Sequence, residues 1–187
     1  MDILALWLPI LITTVVLFFA SFLAWAILPH HNPDWSELPD EQRFAAALKE
    51  QNIAQGRMYI FPYMQHKDLK EQANMDRYNA GPWGVLNLWP VKPQMGRNMI
   101  VTISTFLVIT TLIAHLATLG LDPGAPFARV FHFVGIAAIL GHWTGAIIKE
   151  IWFSIPLRAK AMDLIDAIAY ALITALIFAL FWPGANG

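Results

Sequence analysis

Cysteine is missing from this sequence, and charged residues are scarce. The chain has 187 residues, of which none is cysteine and only 13% are Asp, Glu, Lys or Arg. Because globular proteins carry about 25% charged residues, roughly half of the usual charge is absent. The lack of cysteine excludes disulfides, zinc–thiolate sites, iron–sulfur clusters and thiol catalysis. Together with 57% hydrophobic residues and a mean hydropathy of +0.52, the low charge excludes an ordinary water-soluble enzyme.

Familiar catalytic motifs are missing as well. The sequence contains no nucleophile elbow, no H-E-x-x-H pair, no P-loop and no dinucleotide-binding fingerprint. Its formal net charge of −1 provides no electrostatic reason for nucleic-acid binding. We therefore predict a protein that is not an enzyme and does not bind nucleic acid, and the sequence identifies no particular cofactor.

Four long apolar segments account for the low charge. About 20 apolar residues suffice for a helix to cross the roughly 30 Å hydrocarbon layer. The first segment lacks the basic start and the small-residue cleavage site of a signal peptide, so we interpret it as a membrane anchor. We predict an all-α integral membrane protein with a three-helix membrane unit at residues 98–187, and the four transmembrane helices at residues 1–28, 98–119, 127–152 and 163–182.

The distribution of basic residues predicts the orientation of these helices. Lysine and arginine are enriched in the cytoplasmic loops of membrane proteins. Arg129 lies alone near one set of helix ends, whereas six basic residues lie near the other set: Arg43, Lys92, Arg97, Lys149, Arg158 and Lys160. This pattern places residues 29–97 in the cytoplasm and both termini outside. Tryptophans favour membrane interfaces. We expect Trp25, Trp83, Trp89 and Trp152 at the cytoplasmic interface and Trp7 and Trp182 at the outer one.

The cytoplasmic segment, residues 29–97, carries equal numbers of acidic and basic side chains. Capping and breaker residues predict short helices near residues 39–48 and 68–78. Two further stretches, 58–64 and 83–90, are too apolar to be left in water. We interpret the second stretch, which two tryptophans bracket, as a strip in the lipid headgroup zone. The alternatives are that these apolar patches pack on each other as a small cap, or that they bind a partner.

Small residues recur at helical spacing in the last two membrane segments. In the fourth they are Ala167, Ala171, Ala175 and Ala179, and in the third they are Ala137, Gly141 and Gly145. Such stripes let two helix backbones approach closely in lipid. We therefore expect the third and fourth helices to touch, with an oligomer seam as the alternative use of one stripe.

Ionisable side chains inside a membrane are costly and are candidates for function. His115 and His132 lie at one depth, roughly 7 Å from the turn that joins their helices, and could ligate a haem or chlorin or hold a quinone. Hydrogen bonds to backbone or headgroups are the plainer use of both. His142 lies deeper, near the predicted level of Tyr170. The candidate cofactor-binding residues are thus His115, His132, His142 and Tyr170.

Plain structural roles are also open to the deeper polar residues. A hydrogen bond between Tyr170 and His142 and an ion pair between Asp166 and Lys149 would satisfy these groups. A proton path or a quinone pocket could use the same side chains, but their spacing does not require one. We therefore expect the two pairwise contacts.

Outside the predicted helices, two adjacent histidines raise the question of a metal. His30, His31, Asp34 and His66 offer the imidazole and carboxylate ligands that transition metals accept. Adjacent histidines seldom converge on one ion, and the fourth ligand is distant in the sequence. We therefore predict no metal site, and whether the His30–His31 region binds metal stays open.

Several motifs resemble a group of small, uncharacterised four-span bacterial inner-membrane proteins of similar length. The residues that carry the resemblance are Gly81-Pro82-Trp83-Gly84-Val85-Leu86, Ile151-Trp152-Phe153, the stretch from Asp166 to Thr174, and Phe181-Trp182-Pro183. The resemblance implies the four-span layout and a location in the bacterial inner membrane. It implies no activity.

These observations predict a non-catalytic accessory or structural subunit of a larger bacterial membrane complex, of the respiratory or photosynthetic type. Its expected partners are the lipid bilayer and either other membrane subunits or further copies of itself. Two alternatives remain open: a small redox protein that binds haem, pigment or quinone, and a component of an oligomeric transporter.

Overall fold

The computed structural model describes residues 1–65 and 67–184, and it is mostly helical. These residues form two compact units, one of residues 1–36 and 95–184 and the other of Glu37–Gln94. The helices, in chain order, are α1 (Trp7–Phe22), α2 (Glu41–Glu50), α3 (Gln72–Ala80), α4 (Met95–Gly120), α5 (Phe127–Ile139), α6 (Gly145–Trp152) and α7 (Leu157–Leu180).

The first unit contains four helical segments that are long and apolar enough to cross a membrane. We call them spans 1 to 4: Ile3–Ile27, Met95–Gly120, Phe127–Trp152 and Leu157–Leu180. The prediction of four long apolar helices is confirmed. Span 4 begins earlier than predicted, because its helix continues back to Pro156 through a basic first turn that hydropathy alone does not include.

Spans 1 and 3 each contain one π-helical turn. The turns are Leu23–Ile27, at the end of span 1, and Leu140–Thr144, in the middle of span 3. A π turn inserts an extra residue and rotates the helix that follows it, and such turns are frequent at functional sites. In span 3 the turn lies between α5 and α6, and its extra residue rotates the faces of α6 relative to those of α5.

Spans 3 and 4 pack against each other through small residues. The four alanines of the span 4 stripe are all buried, and a Cβ atom on Gly135 of span 3 would lie only 3.4 Å from the Cβ of Ala175. Ala137 is buried too, whereas Gly141 faces Ile109 of span 2 and Gly145 faces open space. Ala137 and Gly141 line one groove with Ile109 and Ile113 of span 2, so the predicted stripe of span 3 lies toward span 2, and the close approach to span 4 is made at Gly135.

Large buried side chains fill the interior of this unit. The largest are Phe178, Leu6, Leu17, Val130 and Val134, all with no exposed surface. Trp182 is also buried, and its Nε1 donates to the carbonyl of Asp122 at 3.0 Å. Trp182 is therefore a core residue that closes the end of the unit over the turn between spans 2 and 3, and its position at the outer membrane interface stays a prediction.

The second unit contains a two-stranded antiparallel sheet that the sequence did not predict. Strands β1 (Arg57–Phe61) and β2 (Gly84–Leu88) pair with Tyr59 opposite Leu86. They are the two stretches judged too apolar for water, so their pairing favours the small-cap alternative over separate surface strips. The flanking Trp83 and Trp89 are exposed, as is Trp152 of the first unit.

Both predicted short helices of this unit form. Asp40 caps α2 by accepting a hydrogen bond from the backbone of Arg43 at 2.8 Å, as acidic N-cap residues commonly do. The second predicted helix is split into a short turn at Asp68–Lys70 and α3. Helix α3 ends at Gly81, whose positive φ of 65° suits glycine.

Candidate functional site

The two histidines predicted to share a cofactor do not meet. His115 and His132 are both exposed on their spans. The hydroxyl of Thr118 donates to the carbonyl of His115, and the ring of His132 contacts that of Phe131. Within residues 1–65 and 67–184, no hydrogen bond or ring contact joins the two histidines, and their sharing of a cofactor stays a prediction.

The other two predicted cofactor residues do lie together. The rings of His142 and Tyr170 are 5.8 Å apart between centroids, and Phe106 lies edge-on to Tyr170 at 6.0 Å. The expected hydrogen bond between His142 and Tyr170 is not formed. The hydroxyl of Tyr170 lies instead 3.5 Å from Oδ2 of Asp166, at the limit of hydrogen bonding.

Asp166 also has different partners from the one expected. Its Oδ1 lies 3.0 Å from Nε2 of His30, and its Oδ2 lies 3.2 Å from Nε2 of His31. The predicted pair with Lys149 is wrong, because both carboxylate oxygens face the turn that follows span 1. We name His30, His31, Asp34, Arg158 and Asp166 the His–Asp cluster.

The local backbone explains how two adjacent histidines reach one carboxylate. Pro29–Asp34 form a 3₁₀ turn that begins on a proline, whose fixed φ suits the first position of a helix. A 3₁₀ helix has about three residues per turn, so neighbouring side chains diverge by about 120°. The two rings remain 4.3 Å apart between centroids, and both Nε2 atoms reach Asp166 from the same side.

His31 is held on three sides. Its ring stacks on Trp25 with centroids 3.8 Å apart and planes within 8°. Its Nδ1 lies 2.7 Å from Oδ2 of Asp34, three residues along the same turn. Because only 3% of His31 is exposed, these contacts fix both the plane and the direction of the imidazole.

Arg158 closes the cluster from the first turn of span 4. Its guanidinium donates to Oδ1 of Asp34 and, at 2.7 Å, to the backbone carbonyl of His30. Residues eight apart share a helix face, so Arg158 and Asp166 approach the 3₁₀ turn together. The cluster therefore joins the end of span 1 to the beginning of span 4.

Two groups of the cluster outside the spans have shifted acidity. Burial alone would lower the pKa of His31, but the hydrogen bonds to Asp34 and Asp166, with the negative charges of Asp166 and Asp163, outweigh burial and raise this pKa above 6.5. The hydrogen bond from His31, together with the positive charge of Arg158, lowers the pKa of Asp34, although burial opposes this. The cluster thus favours a cation at His31 and an anion at Asp34.

The raised pKa of His31 predicts that the stability of the fold depends on pH. A histidine whose pKa is raised on folding stabilises the fold fully below its unfolded pKa of about 6.5, and this contribution is lost as pH rises through the folded value. In detergent with a chelator, we expect the midpoint of thermal unfolding, followed by circular dichroism, to fall from pH 6.5 to pH 8. His31→Gln should flatten this slope. A midpoint that rises over the same range in the wild-type protein would contradict the assignment.

The donor set of the cluster suits metal chemistry. His30, His31 and Asp166 each offer a ligand atom, and these atoms lie within 4.8 Å of one another. The metal-ligand set considered from the sequence contains the two histidines and Asp34. It lacks Asp166, which lies on a helix distant in the sequence. The remaining residue of that hypothesis, His66, lies outside the described residues.

Comparisons with known proteins add no relative to this picture. No family model matches the chain, and no curated protein or solved structure matches it significantly. Two features of the described residues bear on function: the exposed second half of span 3 and the His–Asp cluster.

Proposed function

We propose that this chain is a multi-pass protein of the bacterial inner membrane and a non-catalytic subunit of a larger membrane assembly, of the respiratory or photosynthetic kind. Four apolar helices of spanning length support the membrane location. The excess of lysine and arginine on one side supports an orientation with both termini outside the cytoplasm. The absence of familiar catalytic motifs supports a structural role.

The observation that carries this proposal is the second half of span 3. Its π turn and α6 bury none of their residues within the chain. Within the described residues, three polar atoms of this half are shielded from solvent and lack a hydrogen-bond partner: Nε2 of His142, Nε1 of Trp143 and Oε2 of Glu150. Unsatisfied polar groups cost several kcal/mol in hydrocarbon, and polar residues of membrane helices usually face a protein interior. These three atoms are covered by the chain itself, so the surface open to another subunit is formed by the exposed residues of this half and not by these atoms.

The same half of span 3 offers room for close approach. A Cβ atom added to Gly145 would meet nothing within 4 Å, so the backbone is open there. Exposed glycines at membrane helix surfaces allow a partner helix to come near and gain dispersion contacts. Ile148 and Trp152, three and seven residues after Gly145, lie on the same helix face and are more than half exposed. This surface is the proposed contact with the partner subunit.

Gly145→Leu is expected to weaken association without harming the chain itself. The added side chain meets no atom of this protein but occupies the space that a partner needs, and such overpacking costs about 1–3 kcal/mol. Since about 1.4 kcal/mol is a tenfold change, we expect about tenfold less partner protein to co-purify in mild detergent. Native gels of membranes from the source bacterium, followed by mass spectrometry, measure this.

Gly96→Leu is the matched control, because Gly96 also lies in a span and also faces open space. It should leave co-purification unchanged. A wild-type protein that runs as a lone monomer, or an equal loss in both variants, would contradict the proposal.

A further inference from the structure

We propose that His30, His31 and Asp166 form a binding site for one divalent transition-metal ion, held between the end of span 1 and the start of span 4. The three donors come from a 3₁₀ turn and a distant helix, and the fold brings them to one point. This inference does not depend on the assembly proposed above. It concerns the chain alone.

The distances fit a single ion. Nitrogen and oxygen ligands lie about 2.0–2.2 Å from zinc, so two ligands of a tetrahedral site are about 3.4 Å apart. The Nε2 atoms of His30 and His31 lie 3.0 Å and 3.2 Å from the two oxygens of Asp166, and one ligand atom of each residue lies within 4.8 Å of the others. A small movement of the carboxylate would therefore let all three contact one ion.

The chemistry of the donors selects the class of metal. Two imidazoles and one carboxylate suit Fe²⁺, Co²⁺ or Zn²⁺, whereas Ca²⁺ and Mg²⁺ prefer sites made of oxygen ligands. Three protein ligands also leave coordination positions for water or a small molecule. The side chain of His30 is 22% exposed, which provides a way in from solvent.

The surroundings of His31 match those of a metal ligand. Histidines that bind metals usually donate their other ring N–H to a carboxylate, which fixes the tautomer and directs the free nitrogen at the ion. Asp34 accepts from Nδ1 of His31 at 2.7 Å, and Arg158 in turn holds Asp34. Trp25 fixes the ring plane by stacking. Asp34, Arg158 and Trp25 are positioning residues in this arrangement.

Counting donors and acceptors supports a cation at the centre. His31 has a carboxylate oxygen at each ring nitrogen, but a neutral imidazole carries only one N–H. With that N–H directed at Asp34, the contact between Nε2 and Asp166 requires a cation. A metal ion between Nε2 of His31 and the carboxylate fulfils this requirement, whereas protonation of His31 alone is the competing arrangement.

Metal binding by the purified protein tests the proposal. The full chain is produced with an affinity tag that lacks histidine, stripped with a chelator in detergent, incubated with Zn²⁺ and desalted, and its metal is measured by mass spectrometry. We expect about one Zn²⁺ per chain, a Co²⁺ derivative with the absorption bands of a nitrogen- and oxygen-ligated ion, and no retention of Mg²⁺. His30→Ala and Asp166→Asn should lose the retained Zn²⁺, while His132→Ala, which removes an exposed histidine from another span, should keep it.

Asp34→Asn provides a variant in which all three metal ligands remain. Loss of such an orienting carboxylate typically weakens metal binding by about 10–100-fold, so a competition titration should show that reduction. Helical content measured by circular dichroism verifies that each variant is folded. The proposal is overturned if the wild-type protein retains no Zn²⁺, as the purely protonated arrangement predicts, or if Asp166→Asn and His132→Ala retain equal amounts.

Discussion

Replacement of Asp166 by alanine is expected to lower the free energy of unfolding by about 3–5 kcal/mol, the cost of breaking a buried ionic contact from one side. Asp166 is 8% exposed and contacts both His30 and His31. Its removal leaves two imidazoles facing each other without an acceptor between them. It also frees the 3₁₀ turn from span 4, because the remaining link is through Arg158 at the edge of the cluster.

Unfolding of the purified protein in mixed detergent micelles measures this loss. Asp163→Ala is the matched control, since Asp163 lies one turn earlier on the same helix and makes no side-chain hydrogen bond with the described residues. Asp163 is half-buried and its charge stabilises the protonated form of His31 without a hydrogen bond, so we expect a loss that is clearly smaller than that of Asp166→Ala. Equal losses in the two variants would show that the cluster is not a specific link.

The second large effect is expected for Phe178→Ala. Phe178 has no exposed surface and belongs to the same core cluster as Val130 and Val134 of span 3. Truncation of a buried phenylalanine costs about 3–5 kcal/mol in soluble proteins, through lost transfer energy and an unfilled cavity. Lipid reduces the transfer part, but the lost dispersion contacts remain. We therefore expect a loss of about 3 kcal/mol.

Phe181→Ala is the comparison for this core position. Phe181 follows Phe178 by three residues and is 43% exposed. Its truncation removes the same atoms, but lipid or detergent can fill the space that the exposed ring leaves. We therefore expect a loss below about 1 kcal/mol. The same micelle unfolding assay applies, and a larger loss for Phe181→Ala than for Phe178→Ala would contradict the described core.

The four long apolar helices could be predicted from the sequence because hydropathy is local. A run of apolar residues defines a span without knowledge of its neighbours, and the predicted bounds of the third helix agree with Phe127–Trp152. The contact between spans 3 and 4 could be predicted from small residues at spacing four. The π turn at Leu140–Thr144 could not be predicted, and neither could the face of span 3 that meets span 4, which carries Gly135 and not Gly141.

The partners of Asp166 could not be predicted because they are distant in sequence. The sequence identifies Asp166 as an acidic residue in an apolar segment, but counting residues from the helix ends places it at the depth of Lys149. His30 and His31 lie more than 130 residues away, and only the path of span 1 brings them near. Pro29 is a local signal for the 3₁₀ turn that lets the adjacent histidines converge, but the contact with Arg158 that holds this turn joins residues 128 apart and no local pattern reveals it.

The sheet of the second unit illustrates the same limit. Stretches 58–64 and 83–90 were identified as apolar, but their antiparallel pairing is a long-range event. Strand pairs of this kind depend on neighbours across the sheet more than on intrinsic propensity. The register, with Tyr59 opposite Leu86, could be seen only in the structure.

A double-mutant cycle between His31 and Asp166 tests the central claim, that these side chains link the end of span 1 to span 4. His31→Ala, Asp166→Ala and the double variant are unfolded in micelles at pH 6.5 with a chelator present. Residues in direct contact within one network show interaction energies of about 0.5–3 kcal/mol, whereas distant residues add independently. We predict a coupling of at least about 1.5 kcal/mol, in line with hydrogen bonds to charged groups. Additive effects of the two substitutions would contradict the link.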